Sequence, residues 1–194
     1  AAALGNLGDP AALDGLVRMF GHPNAVVRRA AIAAINTIGA TGTAARIRAA
    51  IADTNPRVRE SAVRVAGYFG FEDSVPFIIA ALNDSVEDVR RAAIEQLPVL
   101  DEVDAVGKLA GAVAQETPRN RAAAAHALQH IDDPRAGAAL RDALQDADAW
   151  VRYFAATSLG EQRLNAGQVD GLAVLARHDT ATHVRIAAIT ALAR

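Results

Sequence analysis

The stretch DTNPRVRESA, residues 53–62, returns as DSVEDVRRAA at 84–93 and as DADAWVRYFA at 146–155. Its central arginine recurs at Arg28, Arg59, Arg90, Arg121 and Arg152, every 31 residues, and once more at Arg185 after a step of 33. Val precedes it in five of the six cases, and Ala follows three places later in all six, at Ala31, Ala62, Ala93, Ala124, Ala155 and Ala188. Four of the phrases carry Asp six places before the arginine: Asp53, Asp84, Asp146 and Asp179. A fixed period of this size marks a solenoid, whose units stack so that each touches only its neighbours.

Residues 41–71 show what one unit contains. Ala44, Ile47, Arg48 and Ile51 fall along one stripe at helical spacing, which predicts a first helix over 43–52. The run Asp53-Thr54-Asn55-Pro56 interrupts it. Asn is a good N-cap, and Pro suits the first helical position, where its missing N–H costs nothing. A second helix is predicted from Pro56 to Phe69, with Val58, Ala62, Val65, Ala66 and Phe69 facing inward, and Gly70 ends it. The unit is a helical hairpin. The equivalents of Ile47 are Leu16, Ile78, Leu109 and Leu140; those of Ala66 are Ile35, Leu97, Leu128, Leu159 and Leu192. One hairpin cannot bury both its faces, so neighbours must stack to make a core. The small Ala three places after each arginine is expected where helices approach most closely.

With Val before the arginine, Ala after it and a closing Leu-Gly, the D-x5-R phrase resembles the HEAT repeat. The short, Ala-rich form is most similar to the bacterial HEAT-like repeats first grouped with phycobilin lyases. The expected fold is all-α, a right-handed α-solenoid of about six stacked helical hairpins. Its units are 9–39, 40–70, 71–101, 102–132, 133–163 and 164–194, with a partial unit at 1–8. The resemblance implies that first helices line the convex side and second helices the concave side. It further implies a ladder of hydrogen bonds between adjacent units, made by Asp53, Arg59, Asp84, Arg90, Asp146, Arg152, Asp179 and Arg185. Arginine offers a planar fork of donors suited to carboxylates and loop carbonyls. His22 and Gln115 replace Asp in the first and fourth phrases, so an interruption is expected there. Leu4, Gly5 and Gly8 match closing positions of a unit, and the chain stops inside a helical pattern, so an excerpt of a longer array is the expectation.

Composition narrows function. The chain has 194 residues, 52% of them hydrophobic, and a formal net charge of -2, a balance that argues against a general nucleic-acid groove. It has no cysteine, hence no disulfide framework or thiol chemistry, which is compatible with the cytoplasm. No stretch is long and apolar enough to span a membrane, and no signal peptide is visible. No nucleophile elbow, phosphate-cradling loop or dinucleotide fingerprint appears. His126 and His130 share a helix face, but Ala127 replaces the glutamate of a zinc-protease signature, so no metal, cofactor or catalytic residue is expected. The histidine–glutamate pairs of the HEAT-like deoxyhypusine hydroxylases are absent too.

Positions one, five and nine after each arginine should face the concave side. Their ridge mixes charge with Tyr and His. A protein-binding surface there would use Arg29, Glu60, Arg64, Tyr68, Arg91, Glu95, His126, His130 and Tyr153, with Trp150 as either a plug between units or a partner contact. An ordinary solvated face has the same composition. The expected function is a scaffold binding another protein along its concave face, not an enzyme by itself. Two alternatives stand beside it: a phycobilin lyase-like maturation factor, and a nucleic-acid-binding solenoid. The second requires a basic stripe that Glu60, Glu95 and Glu161 interrupt. Pro98 is expected to bend its helix, and the period lengthens around 164–167.

Overall fold

The computed structural model describes residues 11–39, 42–100 and 104–194; the partial unit expected at 1–8, with Leu4, Gly5 and Gly8, lies outside them. Every regular element among the described residues is helical. The chain forms two compact halves, Ala1–Asp101 and Glu102–Arg194.

The first half contains α1 (Ala11–Met19), α2 (Ala25–Ile38), α3 (Ala44–Ile51), α4 (Pro56–Phe69), α5 (Val75–Ala81) and α6 (Glu87–Gln96). They pair as the hairpins α1/α2, α3/α4 and α5/α6, and neighbouring hairpins pack first helix on first and second on second. The second half repeats the plan with α7 (Ala105–Gln115), α8 (Pro118–Ala127), α9 (Pro134–Ala143), α10 (Ala149–Leu159), α11 (Ala166–His178) and α12 (Thr182–Leu192). At seven to fourteen residues, these helices are of the length that is marginal in water alone, so packing holds them.

Local chemistry sets the boundaries. The Asn55 side chain accepts a hydrogen bond from Arg57 N, Pro56 opens α4, and Gly70 closes it in the left-handed region at φ 62°. Asn24, Asp148 and Thr117 cap α2, α10 and α8 in the same way. Asn165 and Gln168 form a reciprocal capping box on α11, one residue later than the period would place it. That shift moves the core leucine as well. Leu172 is fully buried 32 residues after Leu140, where the strict period would have put Gly171.

The core is a set of repeated positions. Leu16, Ile47 and Ile78 of the first half, like Leu109 and Leu140 of the second, have no exposed surface, and nor do Ile35, Ala66, Leu97, Leu128 and Leu159. Each large aliphatic so buried stabilises by roughly 1.5–3 kcal/mol. All six alanines three places after the arginine are completely buried. Polar side chains also reach across hairpins in the second half: Ser158 Oγ donates to Ala125 O at 2.9 Å and Gln168 Nε2 to Gly137 O at 3.0 Å.

Pro98 acts differently from the expected bend. The α-helical ladder of α6 stops at Gln96, and Leu97–Val99 continue as a single 3-10 turn with Pro98 in its first positions. Proline here loses no ladder bond, because the tighter turn leaves its nitrogen without an obligation.

Candidate functional site

The recurring arginines sit where α-helix and loop meet, and they do two things at once. Nη1 of all six donates to the carbonyl oxygen five residues earlier, on Pro23, Thr54, Ser85, Glu116, Ala147 and Thr180, at 3.0–3.4 Å. For Arg59, Arg121 and Arg152 the rest of the fork reaches forward. Arg59 Nε and Nη2 grip Asp84 at 2.7 and 2.8 Å, Arg121 grips Asp146 at 2.8 and 2.7 Å, and Arg152 grips Asp179 at 2.7 and 3.0 Å. Each of these aspartates also accepts from a backbone N–H two residues on, fixing its own loop. The arginine hydrogen bond holds the carboxyls of Asp84 and Asp179 below the ordinary carboxylate range. At Asp146 burial pushes upward, but the Arg121 bond and the backbone N–H outweigh it.

The geometry places the predicted ladder residues unevenly. Asp53 accepts from Asn55 N in its own loop, and no bond joins it to Arg28. Arg90 donates to Asp84 O and Ser85 O, and Arg185 to Asp179 O, Thr180 O and Thr182 Oγ1. Arg121 stands outside the predicted ladder. It belongs because the fork points to the following hairpin's aspartate, so the missing Asp of its own phrase is irrelevant; the unbroken 31-residue arginine period was the signal. His22 keeps the local half of the aspartate's role, since its Nδ1 accepts from Asn24 N at 3.1 Å.

The ridge of second helices differs between the halves. In the first, Glu60, Arg64, Arg91 and Glu95 are paired among themselves. Arg64 lies against Glu60 on α4 and Glu95 on α6, while Arg91 bonds Asp88 at 2.9 Å and lies 3.7 Å from Glu95. Burial works against the Arg64 charge, yet the flanking glutamates raise its pKa further. Arg29 and Tyr68 are exposed, Tyr68 with its ring edge-on to Phe69.

In the second half the ridge is aromatic. Trp150, at the start of α10, stacks on His183 of α12 with ring centres 4.7 Å apart, and stands edge-on to Tyr153 at 5.5 Å. Tyr153 meets Phe154 at 5.2 Å, and Phe154 meets His126 of α8 at 5.2 Å. Five rings therefore run without a break over three successive second helices. Trp150 still leaves 57% of its surface in solvent, so it is packed and available at once. Phe154 and His183 are not among the sequence-predicted contacts; most other units fill their positions with Ala, Ser, Arg, Asp or Val, so the period hides them. The His130 side chain lies outside the described residues. No group of three or more potential metal ligands occurs among the described residues. None of their helices is long and apolar enough to cross a membrane.

The grooves between first helices offer less. One, of about 470 Å³, lies between α7 and α9 over Ala110, Val113, Ala138 and Ala139. Its guanidinium, Arg135, is already bonded to Asp104 and Asp133.

Comparison with known proteins agrees with this architecture. The family described as HEAT repeats matches residues 43–129 and 109–193, and the PBS lyase HEAT-like repeat matches residues 1–22. Among solved structures, the Escherichia coli protein YibA is similar with a TM-score of 0.80 and 21% identity, over 98% of this chain and 73% of that one. An engineered protein is similar with a TM-score of 0.61 and 16% identity, over 93% of this chain and 97% of its own. The complex of CpcE and CpcF of phycocyanin lyase from Nostoc has a TM-score of 0.48 and 24% identity, over 94% of this chain and 99% of that one. None of the curated proteins matches the chain.

Proposed function

The chain belongs to the HEAT-repeat family, and we propose that it is a protein-binding module whose contact surface is the second-helix ridge of residues 118–192. The observation that carries this reading is the aromatic run His126–Phe154–Tyr153–Trp150–His183, with Trp150 more than half exposed. Exposed Trp and Tyr on a rigid support are the usual anchors of protein interfaces. Backbone-locked helices hold these rings in place, so little conformational entropy is lost on contact. Of the other candidates, Glu60, Arg64, Arg91 and Glu95 are bound to one another, so in this reading they shape the first half and leave contact to Arg29 and Tyr68. The same neutralisation weighs against nucleic acid, which needs unspent arginines along a groove.

Photo-crosslinking tests the assignment. A benzophenone side chain in place of Trp150 or His126, introduced in the native host, should yield discrete protein adducts. The same probe at Ala138 on the first-helix side should yield none. Equal capture from both sides, or none from either, overturns the proposal.

A further inference from the structure

The outer face of the hairpin α11/α12 departs from the columns behind it. Positions four and seven places after the recurring arginine face the next hairpin. Ser158 Oγ of α10 donates to Ala125 O at 2.9 Å, and Gln162 Nε2, just beyond α10, donates to Leu128 O at 3.0 Å. Residues in these two columns are buried. Ala125, Ala156, Leu128 and Leu159 have no exposed surface, and Ile94, an isoleucine in the first column, is 1% exposed. In α12 the same columns hold Ile189 and Leu192, which are 55% and 37% exposed. The first helix agrees. Gly137 of α9 faces α11, since its carbonyl oxygen accepts from Gln168 Nε2, and Val169, 32 residues on, is 39% exposed.

Charge is unspent at the same end. Arg152, one hairpin back, places its fork on Asp179 of the next loop. Arg185 keeps the local bonds, from Nη1 to Asp179 O and Thr180 O and from Nη2 to Thr182 Oγ1, but among the described residues no carboxylate lies ahead of it. Arg59, Arg121 and Arg152 show what fills this arrangement: a helical hairpin whose loop carries Asp six places before its own arginine. The planar fork selects a carboxylate, which it takes through two parallel bonds. A second copy of the chain matches less well. Its first hairpin would bring His22 to the aspartate's position, and His22 Nδ1 already accepts from Asn24 N.

We propose that the outer face of α11/α12 is a stacking surface for a further helical hairpin of the HEAT type, one whose loop brings an aspartate to Arg185. Val169, Ile189 and Leu192 form its apolar part, and the Arg185 fork fixes the register. None of the five rings of the aromatic ridge takes part, so neither reading depends on the other.

The chain has no cysteine, so Ile189→Cys gives a single thiol on this face. A copy of residues 131–163 joined after Arg194 keeps the register, because Arg194 stands nine places after Arg185 and Ile131 ten places after Arg121. The copy supplies a hairpin with Asp146 in its loop. In the extended chain a maleimide should label the Ile189→Cys thiol about tenfold more slowly than in the chain alone. Val174→Cys, in the column of Asp142 on the groove toward the preceding hairpin, should react equally in both. Asp146→Ala in the added copy and Arg185→Ala should each give back about threefold of the protection, and the two together no more than either alone. Circular dichroism follows the helix that the addition contributes. A thiol labelled equally fast in both chains, with the added hairpin helical or not, overturns the proposal. So does protection that is indifferent to Asp146→Ala. Labelling of the unextended chain that slows as its own concentration rises makes a second copy the occupant, and overturns it too.

Discussion

Replacing Asp179 by Ala removes two charge-assisted bonds to Arg152 (2.7 and 3.0 Å) and the acceptor of Ala181 N (2.8 Å). The Arg152 guanidinium then keeps only the carbonyls of Asp146 and Ala147. Exposure decides the size of the effect. An exposed ion pair contributes about 0–1 kcal/mol, and breaking a fully buried one costs about 3–5 kcal/mol. The Arg152 and Asp179 side chains are 14% and 3% exposed, near the buried end. A loss of about 2–3 kcal/mol is expected, since Arg152 stays partly solvated and keeps two acceptors. For a chain of this size that lowers Tm by roughly 5–10 °C. Asp179→Asn, which keeps the loop acceptor and loses the charge, should cost about half as much. Urea unfolding followed by circular dichroism gives the free energies, and hydrogen exchange on α12 localises the effect. In a double-mutant cycle with Arg152→Ala, the coupling should exceed about 1 kcal/mol. A coupling near zero, or an Asp179→Ala variant as stable as the parent, would refute the claim that this pair holds neighbouring hairpins in register.

Acid should reproduce the effect across the ladder. Asp84, Asp146 and Asp179 have carboxyl pKa values lowered in the fold, so their contribution is present above the unfolded value of about 3.9 and is lost as pH falls through the lower folded values. The gap in urea midpoint between the parent and Asp179→Asn should therefore be full at pH 6 and shrink as pH falls below the unfolded value of about 3.9. Gly160→Ala should destabilise by about 1–3 kcal/mol, measured as a drop in Tm. The added Cβ would stand 2.9 Å from both Cα and Cβ of Ala191, and backbone cannot move aside cheaply. Ala93→Leu, at a position with no exposed surface, should overpack α6 by about 1–3 kcal/mol; an unchanged thermal midpoint would contradict it.

What the sequence displays is what the period displays. The second helix of residues 41–71 can be placed from Asn55, Pro56 and Gly70, because cap, first turn and left-handed stop are each local chemistry. The buried alanines follow from one invariant spacing. Features that depend on the next unit are harder to see. Whether an arginine has a carboxylate ahead of it depends on the neighbour's loop, which is why Arg121 joins the ladder without an Asp in its own phrase, and Arg28 and Asp53 do not meet despite the matching phrases. The aromatic run depends on residues that break the repeat, Trp150, Phe154 and His183, and on their stacking across helices. Periodicity assigns each of them to a column, but only packing shows that the columns touch.

The arginine Nη1 contact to the loop carbonyl has a consequence for how such a chain can change. A backbone acceptor exists whatever side chain the position carries, as His22 and Glu116 already illustrate. Loops can therefore exchange residues freely while the clamp persists, provided their length is kept. Substitution is tolerated where a one-residue deletion would move the oxygen out of reach, so diversity along this chain can accumulate by replacement at the hairpin tips without disturbing the stack beneath them.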